Sequence, residues 1–185
     1  MRIPLAQYGV REIVLATVVL GALTAVGARL FWPSAILPAA LWLFVLAFFR
    51  DPQRRGESAD GFLSPADGKV VAVAPIAPDG PLEAPGTRIS VFMDVLSVHV
   101  NRSPCPGRVE SIRHHDGGFV DARRPEASQH NESATTILIV ERGGRSFRVG
   151  IRQVAGLIAR RIVTDLRVGQ DVQRGGRIGM IKFGS

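Results

Sequence analysis

The sequence has 185 residues, enough for one ordinary domain and a little more, with a formal net charge of +7 and 46% hydrophobic residues. The basic excess is nearly all arginine, Lys69 and Lys182 being the lysines, and beside so apolar an N-terminus it points to an anionic membrane surface rather than nucleic acid. The lone Cys105 excludes an internal disulfide and offers no zinc site.

Two uncharged runs come first, Ile13 to Ala28 and Pro33 to Phe49, with Arg29 between them. Each is close to the ~20 residues that cross a bilayer as helix, and two runs in tandem argue against a cleaved signal peptide. Arg2 and Arg11 precede the pair, and Arg50, Arg54 and Arg55 follow it. Arginine-rich flanks on both sides predict a hydrophobic helical hairpin over residues 1–50 with both ends in the cytoplasm. A re-entrant hairpin and a buried hairpin of a soluble protein are the alternatives. Pro52 disfavours helix at Asp51 and ends the second run, and the polar stretch 51–61 reads as a linker.

From Phe62 the period changes. Lys69–Val73, Arg88–Met93, Thr136–Val140 and Ser146–Ile151 are short β-branched runs separated by Gly and Pro turns. Glu141-Arg142-Gly143-Gly144-Arg145-Ser146 reads as a hairpin turn. Ala155 to Leu166 fits helix or strand by pattern, and its Ile and Val favour strand. Val168 to Gly179 has the grammar of a hairpin such as lipoyl or biotinyl carriers use. The expectation is a mainly β fold, a sandwich-like or barrel-like domain over 62–185 preceded by the helical hairpin.

Three stretches could carry chemistry. Asp67, in Ser64-Pro65-Ala66-Asp67-Gly68-Lys69, is a carboxylate at a turn entering a strand, or simply an Asp-Gly turn. His99 lies between two valines in a segment too polar for pure core; it is a structural histidine or an acid–base group. His114-His115-Asp116 suggests metal at first sight, but neighbours on a strand point to opposite faces, so no metal is expected. The sequence ends in an apolar run and Gly184-Ser185. A Ser after an unhindered Gly can turn its hydroxyl on the preceding carbonyl, although a Gly-Ser pair alone says little.

In order, Phe49-Arg50-Asp51-Pro52, Ser64 to Val70, Val98-His99-Val100-Asn101-Arg102-Ser103-Pro104, Asn131-Glu132, Ala155 to Ile162 and Phe183-Gly184-Ser185 together resemble phosphatidylserine decarboxylase of the short bacterial and archaeal type. The resemblance covers about residues 48 to 185. It implies a proenzyme, a zymogen of phospholipid biosynthesis, that cuts itself at Gly184-Ser185 into a β chain (1–184) and an α chain headed by Ser185. Ser185 would become a covalent pyruvoyl group by ester formation, elimination and loss of ammonia. That ketone would take the amine of phosphatidylserine as a Schiff base and act as electron sink while CO₂ leaves, giving phosphatidylethanolamine without PLP or metal.

The resemblance makes Asp67 the acidic member of the self-cleavage set with Ser185, and His99 the first histidine of the region that reads Tyr-His-Arg-x-His in longer members. The second histidine there, their base, falls at Arg102 here, which leaves His99 to serve self-cleavage, protonation during decarboxylation, or both, with His115 the reserve candidate. The implied partners are phosphatidylserine at the cell membrane and the protein's own α chain; a homo-oligomer is allowed and nucleic acid is not expected. Family members continue past the Ser, which leaves a truncated proenzyme and an inactive paralogue as alternatives. The rival readings are a non-catalytic, membrane-bound lipid-binding protein, should the chain end at Ser185, and a lipoyl- or biotinyl-type carrier. A carrier needs a modifiable Lys at a hairpin tip, and neither Lys69 nor Lys182 is so placed.

Overall fold

A computed structural model describes residues 5–54, 61–78, 82–124 and 126–183. The chain divides into two compact units, Met1–Gln53 and Arg54–Ser185.

The first unit is an antiparallel pair of helices, α1 (Val10–Leu30) and α2 (Ile36–Phe48). Phe31 leaves α1 in extended conformation, and Trp32–Ala35 form one tight helical turn with Pro33 near its start, where a missing N–H costs nothing. A side chain at Gly27 would meet the Ser34 hydroxyl and the Ala35 backbone, so the helices close together only because glycine stands there. The far end is tied by the Ala6 N–H, which donates to the Phe49 carbonyl at 2.8 Å. Between the ends, Trp42 Nε1 donates to Thr17 Oγ1 at 3.1 Å. Val14, Val18, Leu23 and Leu37 all remain exposed. The helical stretch Gln7–Leu30, with a mean hydropathy of 2.1, is long and apolar enough to cross a membrane, whereas Trp32–Phe48 is shorter.

The second unit is mainly β, as expected. β1 (Lys69–Ile76) and β2 (Gly86–Phe92) form an antiparallel ribbon. β3 (Val100–Arg102), β7 (Arg161–Val163) and β9 (Arg177–Lys182) form a three-stranded sheet in the order β3-β9-β7. β4 (Gly107–His115), β5 (Ser133–Arg142), β6 (Arg145–Val154) and β8 (Asp171–Val172) form a four-stranded sheet in the order β6-β5-β4-β8. One helical turn, α3 (Ala127–His130), precedes β5.

β5 is buried on both faces over most of its length, which explains why its sequence is a continuous apolar run rather than an alternation. The β5–β6 turn is the one read from the sequence: Arg142 pairs with Arg145, and Gly143 and Gly144 take φ of 58° and 72°, as a two-residue hairpin turn demands. The core joins Val109, Leu138, Val140, Ile151 and Val172 of the four-stranded sheet to Cys105 and to Ile178 of β9. A second cluster, Ala134, Ala155, Ile162 and Ile181, holds β7 and β9 to the start of β5.

The Val168–Gly179 hairpin reading needs correction. β8 pairs with β4 and β9 pairs with β3 and β7, so the segment changes sheets. Its turn bonds to another segment instead of closing a hairpin: Ser103 N–H donates to the Gly176 carbonyl at 2.7 Å, and Gly175 N–H to the Ser103 carbonyl at 2.8 Å. Of the stretch Ala155 to Leu166, only Arg161–Val163 is strand.

Candidate active site

Two of the motifs singled out in the sequence are stitched together by backbone bonds. The Pro65 carbonyl accepts the Arg102 N–H at 2.8 Å, and the Pro104 carbonyl accepts the Leu63 N–H at 2.8 Å. Ser64 turns its hydroxyl onto the Ala66 carbonyl at 2.7 Å, which shapes the bend that presents Asp67. Asp67 lines an open cleft of about 230 Å³ with Arg54, Val98, Val100 and Arg102. Its carboxylate forms an ion pair with Arg54, both side chains being a little over two-fifths exposed. Arg102 Nη1 donates to the Gly175 carbonyl at 2.8 Å. A guanidinium stays protonated at any working pH, so the residue at this family position serves as a donor and not as a base.

His99 is 4% exposed and immediately precedes β3. Its neighbours Val98 and Val100 line the cleft, whereas His99 is not among the lining residues, and Asn101 Nδ2 reaches the cleft-lining Pro65 carbonyl at 3.5 Å. His99 Nδ1 lies 2.9 Å from the Ser97 carbonyl. A carbonyl only accepts, so Nδ1 carries a proton, which leaves Nε2 as the lone-pair nitrogen whenever the ring is neutral. The His99 carbonyl accepts the Ile181 N–H at 3.2 Å, and Val100 is in register with Met180. The segment bearing His99 is thus paired with the strand that leads in sequence to Gly184-Ser185. Gly184 and Ser185 themselves lie outside the described residues. Asp67 therefore sits on the 64–67 bend and His99 beside β3, two segments joined by the Arg102–Pro65 backbone bond. The reserve candidate, His115, is exposed at the end of β4, in register with Ser133 and away from the cleft lining.

Several buried polar residues had no role assigned from sequence. Asn101 Oδ1 accepts from Gln153 Nε2 at 2.9 Å. Asn131, fully buried, uses Oδ1 for the Val120 N–H at 2.8 Å and Nδ2 for the Val120 and Ala155 carbonyls at 2.7 and 2.8 Å. Glu132 Oε1 accepts the Ile162 N–H at 3.0 Å and lies 3.4 Å from His114 Nε2. Ile162 is in register with Ile181, so Glu132 holds the strand that flanks β9 on the side away from β3. The Asn-Glu pair stood out only as a member of an ordered motif series. Nothing in a polar dipeptide shows which distant strand it will hold. Cys105 faces the core, and burial pushes its thiol pKa up, which keeps it unreactive.

Comparison with known proteins agrees with the motif series. The family model described as phosphatidylserine decarboxylase matches residues 41–185. The chain is 44% identical over 162 residues to a phosphatidylserine decarboxylase proenzyme of Zymomonas mobilis, covering 83% of this chain and 63% of that one. It is 42% identical to the proenzyme of Nitrobacter winogradskyi, covering 84% of this chain and 65% of the relative. Against the proenzyme of Rhodopirellula baltica it is 38% identical over 185 residues, covering 99% of this chain and 75% of the relative. The chain thus spans a little under two thirds of the first two relatives and three quarters of the third. It belongs to the phosphatidylserine decarboxylase family.

Proposed function

We propose that this member of the phosphatidylserine decarboxylase family is a self-cleaving proenzyme that converts phosphatidylserine to phosphatidylethanolamine and CO₂. The observation that carries the reading is the pairing of His99 with β9, the strand that leads to Gly184-Ser185, with the family match running through residue 185.

Self-cleavage needs a base for the Ser185 hydroxyl, and the Nε2 lone pair of His99 is that base. The Ser185 oxygen attacks the Gly184 carbonyl carbon, the amide nitrogen leaves with the proton His99 has taken, and an ester replaces the peptide bond. Loss of the Ser185 α-proton then expels the Gly184 carboxylate, and water replaces the nitrogen as ammonia. The product is a pyruvoyl group on the α chain and a β chain of residues 1–184. That ketone supplies the electron sink for loss of CO₂, a task PLP performs in other decarboxylases, so neither PLP nor a metal is required. Burial of His99 keeps water from competing for its lone pair, and the Ser97 carbonyl holds the ring in one tautomer. Asp67 acts from the cleft, where its carboxylate pairs with Arg54.

The helical hairpin, whose Gln7–Leu30 stretch is long and apolar enough to cross, anchors the protein in the cell membrane, and arginines at both ends of the hairpin support a cytoplasmic β domain (residues 62–185). Phosphatidylserine is met in that membrane. The test is mass spectrometry of the protein expressed from its complete reading frame. The expected result is a fragment ending at Gly184 and a second fragment whose N-terminus lacks an amine, with Ser185→Ala left uncut and chelators without effect. An uncut chain that still decarboxylates phosphatidylserine overturns the mechanism. An uncut, inactive chain that retains lipid favours the non-catalytic, lipid-binding reading.

A further inference from the structure

Two loops of the β unit meet in an exposed apolar tip that the proposed reaction does not use. Gly156 N–H donates to the Ala159 carbonyl at 2.8 Å, which puts Leu157 and Ile158 at the two corners of a tight turn. They are 54% and 58% exposed, and Phe119 and Val120 on the neighbouring loop are 38% and 36% exposed. The loops are locked to each other. Asn131 bonds to Val120 and Ala155, and the Arg160 guanidinium lies over the Phe119 ring at 5.5 Å while its Nε donates to the Leu157 carbonyl at 2.8 Å. Isolated surface hydrophobics are ordinary; four large ones held rigidly at one tip imply a nonaqueous partner.

The charge around the tip identifies that partner. Residues 117–126 and 155–161 carry four arginines against Asp121 and Glu126. Asp121 is spent on Arg123 at 2.5 Å, and Arg124, Arg160 and Arg161 remain at the surface. A second copy of the chain would bring like charge against like across a twofold axis. An anionic bilayer satisfies both features, taking the apolar corners among its acyl chains and the guanidiniums among its headgroup phosphates. We infer that the Leu157–Ile158 turn, with its arginine rim, is a second membrane contact that seats the β unit on an anionic lipid surface. The inference rests on the membrane attachment proposed above, and tethering by α1 would raise the local lipid concentration enough for so small a contact to engage.

The full chain in nanodiscs tests it. Leu157→Cys is labelled with an environment-sensitive dye, selectively because Cys105 is buried. The same dye at Val168→Cys, an exposed position outside the two loops, is the control. The two tryptophans, Trp32 and Trp42, both belong to the helical unit, so quenching of intrinsic fluorescence by brominated lipid reports the anchor separately. In phosphatidylglycerol discs the expected result is a blue shift at position 157 and loss of most dye emission to brominated lipid, with position 168 unchanged. In phosphatidylcholine discs, and in phosphatidylglycerol discs at high salt, the shift should shrink severalfold. A water-like dye at position 157 in anionic discs overturns the inference even where the tryptophans are quenched. So does an equal response in both lipids, or an apolar setting that brominated lipid leaves unquenched, which would mean that protein covers the tip. Unquenched tryptophans overturn the anchor and with it the inference.

Discussion

The open cleft and the buried polar groups near it work under different rules. In the cleft, Asp67, Arg54 and Arg102 stand in reach of water, and their charges are screened and individually weak in stability. Among the buried groups, His99, Asn101 and Gln153 are nearly sealed from solvent, and their bonds fix tautomer and position. A buried polar group left without its partner costs about 1–3 kcal/mol, whereas an exposed ion pair contributes about 0–1 kcal/mol. The difference teaches that the candidate acid–base group stands where geometry is held and the cleft charges where they can respond.

The sharpest test of that division separates activity from stability. His99→Ala in the complete proenzyme should slow self-cleavage by roughly three orders of magnitude or more, as loss of one member of a catalytic unit does. Asp67→Ala should also block cleavage or decarboxylation, but its thermal midpoint should stay near that of the parent because the Arg54 pair is exposed. Gel analysis of processing against time, with calorimetry of the same samples, reads both. Normal processing and turnover in both variants would remove these residues from the site.

A smaller effect is expected one strand further away. Glu132→Ala deprives the buried Ile162 N–H of its acceptor and loosens β7 against β9. Chemical denaturation should show a loss of about 1–3 kcal/mol. Glu132→Gln retains an oxygen and should recover most of it, with processing restored in parallel. If both variants unfold with the parent's midpoint, the carboxylate does not hold that strand.

The helical pair and the strands β1, β2, β5 and β6 were legible because each is long enough to display a period or a continuous apolar run. β3, β7 and β8 are two or three residues long, too short for periodicity, and they exist only because a partner strand is there to pair with them. β4 was hidden differently. Arg108, Glu110 and Arg113 interrupt its apolar positions, and its register shifts between Val109 and Ser111, so the alternation slips partway along. The Val168–Gly179 segment misled because glycine-rich turns look alike whether they close a hairpin or carry the chain to another sheet; here the bonds to Ser103 decide it. At the site, motif order named Asp67 and His99 as candidates. That the His99 segment lies against the strand leading to Gly184-Ser185 depended on the pairing of β3 with β9, a contact between segments nearly eighty residues apart.

The mildest prediction concerns another charge pair in reach of water. Arg123 donates from its side chain and its backbone to Asp121, and these bonds hold the Asp121 carboxyl well below its ordinary value, at about 2. A carboxyl depressed on folding adds stability above its unfolded pKa and loses it as pH falls through the folded one. The contribution of Asp121 is therefore complete above about pH 4 and gone below about pH 2. Asp121→Asn should lower the thermal midpoint slightly at pH 6, by less at pH 3, and not at all near pH 2, with the pH 6 difference shrinking in high salt. Because the pair is exposed, the difference at pH 6 should be smaller than that produced by Glu132→Ala. A difference that grows as pH falls would reverse the sign of the linkage and show that Arg123 does not hold the ionised carboxylate in solution.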